Sequence, residues 1–254
     1  MATKEQSVTL LRLNKQRQVE ALNTFGFGLD ENARASQFPM YVKWANGLLD
    51  VTVAAVRRSD GKNFYFTADE WQSLSATEQG LFLRRGLRVR AYGHSFIVAA
   101  ESIPSLAWGS NGSVTDATSM YGNGKIYTYY DAAAENALIL SYYDGKSADG
   151  VVGAPAAEAA NNYKAFTEDS DGLEDVTQWL LPTFAQMYAL YVFRDEVDAV
   201  FTAAYGADFK LTRGNHWCCN QYDDSGAYYM NTNYGNGYTS TKSNLYYVRP
   251  IAIN

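Results

Sequence analysis

The chain has 254 residues, 47% of them hydrophobic and 19% charged, which is enough apolar material for a core and rules out a disordered chain. A net charge of −6 argues against nucleic-acid binding, which is usually built on a basic face. The two cysteines, Cys218 and Cys219, are adjacent, so there is no cystine framework, and no stretch reaches the length of a membrane span.

In chain order, "MATKEQSVTLLRLNKQRQVEAL" contains no apolar run of signal-peptide type, so synthesis in the cytoplasm is expected, without membrane insertion. Val8, Leu11, Lys15, Val19 and Leu22 form a loose helical stripe that reads equally well as a strand or a packing arm. Residues 50–58 and 63–67 are strand-like and flank Ser59-Asp60-Gly61-Lys62, a hairpin signal. Ser75 and Glu78 are spaced as a capping box, predicting a helix that ends at Gly86 with Arg84 and Arg85 in its last turn. Residues 87–99 return to strand character. Residues 1–103 thus read as a small α+β unit for attachment or assembly, and the Gly-, Ser- and Asn-rich residues 104–125 as a linker or long loop.

A second unit, residues 126–254, opens with two strand-like runs, 126–130 and 137–143. Pro155 suits the first turn of a helix with Ala156, Ala159, Ala160 and Tyr163 on one face. Residues 168–175 form an acidic loop. Pro182 starts a second helix with Phe184, Met187, Tyr188 and Tyr191 at helical spacing, and Val197, Val200, Phe201 and Ala204 mark a third, closed by Gly206. After Gly206 the pattern is β to the end.

Motifs for chemistry fail on spacing. Gly145-Lys146-Ser147 lacks the upstream glycine of a phosphate-binding loop, where Leu140 stands. The acidic loop lacks calcium-loop spacing and its distal glutamate. His94 and His216 are far apart and belong to no HExxH, GxSxG or Cys-x-x-Cys pattern, so no catalytic residue, metal or cofactor is expected.

The informative stretch is residues 215–250, "NHWCCNQYDDSGAYYMNTNYGNGYTSTKSNLYYVRP". Together with "WLLPTFAQMYALY" before it, it resembles the C-type lectin fold of bacterial and phage proteins. In particular it resembles the variable proteins of diversity-generating retroelements, the family of the phage major tropism determinant. Trp217, Gly237, Lys242 and Tyr247-Val248-Arg249-Pro250 follow the family's order of Trp, polar run, turn, Lys and closing strand. "YYDGKSADG" and "APAAEAANNY" resemble its earlier half. The resemblance covers residues 126–254. It implies an α+β chain with a C-type lectin-like ligand-binding domain and a variable region over about 215–247. The implied role is receptor binding at a phage tail tip or a bacterial cell surface. The expected ligand is a cell-surface protein or glycan. The expected partners are virion components held by the N-terminal unit, in an arrangement that allows a homotrimer.

Two arguments from the residues accompany the resemblance. Randomising the adenines of an asparagine codon never yields Lys, Glu, Gln, Met or Trp. Across residues 218–247 the sole departures from the reachable set are Gln221, Met230 and Lys242. Tyr, Ser, Gly and Asn also dominate the stretch, as in antibody paratopes, where Tyr gives large contact area with few rotatable bonds. Strand alternation should turn Met230 to the core and Tyr229 and Asn231 outward. Loops are expected at residues 223–226 and 238–241. The expected ligand-binding residues are therefore His216, Cys218, Cys219, Tyr222, Asp223, Asp224, Ser225, Gly226, Tyr228, Tyr229, Asn231, Thr232, Tyr234, Tyr238, Thr239, Ser240, Thr241, Ser243, Asn244, Leu245 and Tyr246. The rival readings are a relative of formylglycine-generating enzymes that uses Cys218 and Cys219, to which "TRGNHWCC" is similar, and a calcium-independent carbohydrate-binding lectin using stacked Tyr rings.

Overall fold

A computed structural model describes residues 50–114, 125–166 and 172–253. The stripe from Val8 to Leu22 and residues 115–124 and 167–171 lie outside the described residues.

β1 (Asp50–Arg57) and β2 (Asn63–Phe66) form the expected antiparallel hairpin, with Val53 opposite Phe66 and Val56 opposite Asn63. Its turn places Gly61 at φ +68°, and the Asp60 carboxylate accepts from the Arg57 guanidinium at 3.0 Å and from the Lys62 amide at 3.3 Å. Two capping boxes follow. Thr67 and Glu70 open α1 (Ala68–Ser73), which buries Trp71, and Ser75 and Glu78 open α2 (Ala76–Gln79).

The second helix stops at Gly80, well short of the expected Gly86, and Arg84 and Arg85 lie instead in β3 (Phe82–Ala91). The physical reason is at Gly86, which has φ +145° opposite a bulge between Ala54 and Ala55, where a Cβ would collide with the Val98 carbonyl. The glycine serves close strand packing and not a helix end. β3 turns at Tyr92-Gly93 into β4 (His94–Val98), so residues 87–99 are a hairpin.

Beyond it, β5 (Ile103–Leu106) leads to fully buried Trp108, so residues 104–114 are structure and not a linker. A 3₁₀ turn, Lys125–Tyr127, precedes α3 (Ala132–Tyr143), capped by the Asp131 carboxylate on the Ala134 amide at 3.0 Å. The strands expected at 126–130 and 137–143 are therefore this turn and this helix. β6 (Ser147–Ala148) and β7 (Val151–Val152) make a small hairpin. Pro155 begins α4 (Pro155–Asn161) as expected, burying Ala156, Ala157 and Ala160. After β8 (Trp179–Leu180), a Thr183–Gln186 capping box starts α5 (Phe184–Val192), and α6 (Arg194–Tyr205) closes at Gly206. The chain then runs β9 (Asn215–Gln221), β10 (Gly226–Asn231), β11 (Asn236–Thr241), β12 (Tyr246–Val248) and β13 (Ile251–Ile253).

The described strands make a six-stranded sheet, β2-β1-β3-β4-β13-β8, and a five-stranded sheet, β11-β10-β9-β12-β5. This overturns the expected boundary between residues 1–103 and 126–254. The C-terminal β13 pairs with β4, Ile251 opposite Val98, and β12 pairs with β5. One apolar core joins Val53, Leu87 and Phe96 of the first sheet to Met187 of α5, Phe201 of α6 and Phe193 between them, and to Cys218 and Met230 of the second sheet. A second core lies on the other face of β9, between Trp217, Cys219 and Val248 and the helices α3 and α4. Each fully buried aliphatic or aromatic side chain contributes about 1.5–3 kcal/mol. The first core depends on strands drawn from both ends of the described chain. The described residues are α+β with interleaved halves.

Candidate functional site

The five-stranded sheet carries nearly every residue of the 215–248 stretch, and alternation decides which of them reach solvent. In β10, Met230 is fully buried, while Tyr229 is half-buried on the opposite face, as strand geometry requires. Tyr229 lies 4.8 Å from Tyr246 and 6.1 Å from Tyr238 between ring centroids, and Tyr246 lies 4.6 Å from Trp217. Trp217 is wholly buried, its indole N–H donating to the Leu106 carbonyl at 2.9 Å. It is the floor on which the tyrosines rest.

Small polar groups set the ring positions. Ser240 Oγ lies 3.0 Å from the Tyr246 hydroxyl, and Asn244 Nδ2 donates to Ser240 Oγ at 2.7 Å. Asn236 Nδ2 donates to the Tyr238 hydroxyl at 2.9 Å. Sequence reasoning passed over Asn236, although it stands two residues from Tyr238 and so shares its strand face. Tyr228 points the other way, toward Tyr222 and the Phe184 ring at 5.7 and 6.2 Å.

The turns differ in what they offer. Between β9 and β10, Asp223, Asp224 and Ser225 are exposed, and Asp223 Oδ1 accepts the Ser225 amide at 2.9 Å and the Gly226 amide at 2.6 Å. Gly226 itself is buried and shapes this turn. The β11–β12 turn, with Ser243, Asn244 and Leu245 exposed, lies beside it because the Lys242 amide donates to the Ser225 carbonyl at 2.9 Å. Tyr234, 76% exposed, is at the opposite end of the β10–β11 hairpin. Residues 238–241, expected as a loop, are strand β11, with Tyr238, Thr239 and Thr241 exposed.

Lys242 is completely buried, and its ammonium donates to the Gly112 carbonyl at 2.7 Å, the Asp224 carbonyl at 3.0 Å and the Tyr143 hydroxyl at 3.1 Å. Three donors meet three acceptors, so this cation ties two turns to α3. Burial pushes its pKa down to about 8, against the pull of Asp223 and Asp224.

Five of the expected contact residues are not at the surface. Gly226 is held in its turn as described above. Thr232 is fully buried, its hydroxyl donating to the Thr212 carbonyl at 2.9 Å and accepting the Gly214 amide at 3.1 Å. His216 is fully buried, with Ser102 Oγ 3.2 Å from Nε2 and the Gly214 carbonyl 3.3 Å from Nδ1. Cys218 and Cys219 are free and fully buried. As consecutive strand residues they face opposite sides of β9, Cys218 in one core and Cys219 in the other, and burial raises both thiol pKa values. Asn231 is half-buried. Its side chain bridges Asn215 Oδ1 at 2.8 Å and receives the Asn233 amide at 2.9 Å, so it fixes the hairpin turn.

Among the described residues, no group of three His, Cys, Asp or Glu side chains could hold a metal ion, and no helix is long and apolar enough to cross a membrane. Neither a protein-family model nor a curated protein matches the chain. One solved structure with a similar course is a fimbrial protein from Bacteroides ovatus, with a TM-score of 0.45 and 13% identity over 63% of this chain and 36% of that one. The chain thus spans about a third of that protein's length.

Proposed function

We propose that the chain is a ligand-binding protein that displays a diversified surface on a C-type lectin-like scaffold, with phage host-receptor binding as its role. One observation carries the reading. Gln221, Met230 and Lys242, the residues of 218–247 that adenine randomisation cannot produce, are all buried, together with the preceding Trp217. Every half-buried or exposed position between them holds a residue that randomisation can produce. A surface free to change, over anchors that must not change, has this distribution.

The thiols do not compete with the reading. A thiolate nucleophile requires access and a lowered pKa, and both cysteines have the reverse. The deciding experiment is to sequence the DNA around the gene. A near-copy of the 215–250 coding stretch, differing at adenines beside a reverse transcriptase gene, is the expected result. Absence of both refutes diversification.

A further inference from the structure

Among the described residues, the aromatic face ends at a sheet edge that no further strand pairs. β11 is the outermost strand of the five-stranded sheet and pairs with β10 over six consecutive positions, Gly226 opposite Thr241 through Asn231 opposite Asn236, without a bulge. On its outer side a regular strand presents main-chain N–H and C=O groups at every second residue.

Proteins guard such edges with proline, charge, bulges or brevity. The other described edges follow that practice. β5 contains Pro104 and has Ser105 at φ +50°, β8 has two residues, and β2 has four beside the charged turn of Arg57, Asp60 and Lys62. β11, "NGYTST", has none of these devices, and the lysine that follows it is buried away from the edge.

We propose that β11 receives an extended segment of a protein partner as an added antiparallel or parallel strand. The length favours a peptide over a second copy of this chain. Six residues span about 20 Å. Two copies joined along that edge alone would bury far less than the roughly 800 Å² per partner of a stable interface. A strand-like peptide needs no more than the edge itself, and its alternate side chains would lie beside Tyr238 on one face and Thr239 on the other. Tyr238 continues into Tyr229 and Tyr246, so apolar side chains at alternate peptide positions suit that side. Main-chain pairing gives affinity that does not require particular side chains at the neighbouring positions, provided they place no charge on the edge. The inference therefore stands whether or not the surface is diversified.

The test uses the full chain and 12-residue peptides selected against it from a random display library. Hydrogen exchange should show the β11 amides slowed when a selected peptide is bound. Thr239→Lys and Thr241→Lys, both at exposed positions, should each weaken the peptide by about tenfold or more, while Thr239→Ser should not. Unchanged thermal midpoints verify that the lysine variants fold. The proposal is overturned if no peptide is recovered, if bound peptides leave β11 exchange unchanged, or if both lysine variants bind normally. It is also overturned if protein concentration alone slows those amides together with dimerisation in sedimentation, which would assign the edge to a second copy.

Discussion

In β9 a single strand carries His216, Cys218 and Cys219 into dry surroundings, and each responds as the sign of its charge dictates. Burial, helped by the nearby Arg249 guanidinium, lowers the His216 pKa from 6.5 to about 3, although the Gly214 carbonyl opposes it. The native state therefore refuses a proton that the unfolded chain accepts. That contribution to stability is present above about pH 6.5 and is lost as pH falls toward 3, at most about 5 kcal/mol in full. Urea unfolding of the native chain should accordingly weaken between pH 6.5 and 4.5 by about 2–3 kcal/mol more than that of His216→Gln. Equal pH slopes would contradict a buried neutral imidazole. The cysteines give a second test at this scale. A thiol reagent should find no reactive cysteine in the native protein at pH 7 and two in denaturant. Fast labelling of either native thiol would show that β9 is not sealed on both faces.

At the scale of elements, the β10–β11 hairpin is held against α5 by the absence of a side chain. A Cβ on Gly237 would overlap the ring of Phe184, the first residue of α5, and that ring also meets Tyr228 and Tyr127. Gly237→Ala should cost about 1–3 kcal/mol in thermal or urea unfolding through forced repacking. Phe184→Leu should cost less in the Gly237→Ala background than alone, a coupling that a double-mutant cycle reads directly. Additive losses would mean that the hairpin and α5 do not press on each other. The same scale shows what the sequence disclosed. Hairpin β1–β2, helices α4 to α6 and the buried face of β10 were legible because turn residues, Pro155, Gly206 and period-two or period-3.6 patterns all act locally. Helix α3 was not, because its core-facing side mixes Ile139 and Tyr143 with buried Glu135 and Asn136. Asn136 is there to clamp Leu181, donating to its carbonyl at 2.8 Å and accepting its amide at 2.9 Å. A polar residue with a distant partner disguises helical periodicity. Gly86 misled in the same way, since its requirement comes from Val98 across the sheet and not from its neighbours in the chain.

For the whole molecule, the question is whether the five-stranded sheet can exist without the strands that precede it. The sequence suggested that it could, since composition shifts near residue 104 and the resemblance begins at 126. The topology says otherwise. β13 lies between β4 and β8, with Ile251 and Ala252 fully buried, and β5 forms the edge against β12. Removing residues 1–103 strips β13 of its β4 partner and takes Val53, Leu87 and Phe96 from the core that α5 and α6 share. The loss of several such buried side chains, at about 2–5 kcal/mol each, exceeds the whole stability of about 5–15 kcal/mol expected of a domain. Residues 104–254 expressed alone should therefore lack a cooperative thermal transition and a dispersed amide spectrum. A chain ending at Pro250 should fail in the same way, because it loses the strand and not merely a tail. If residues 104–254 instead unfold cooperatively, they form an independent domain, and the six-stranded sheet is a joint between two folded units.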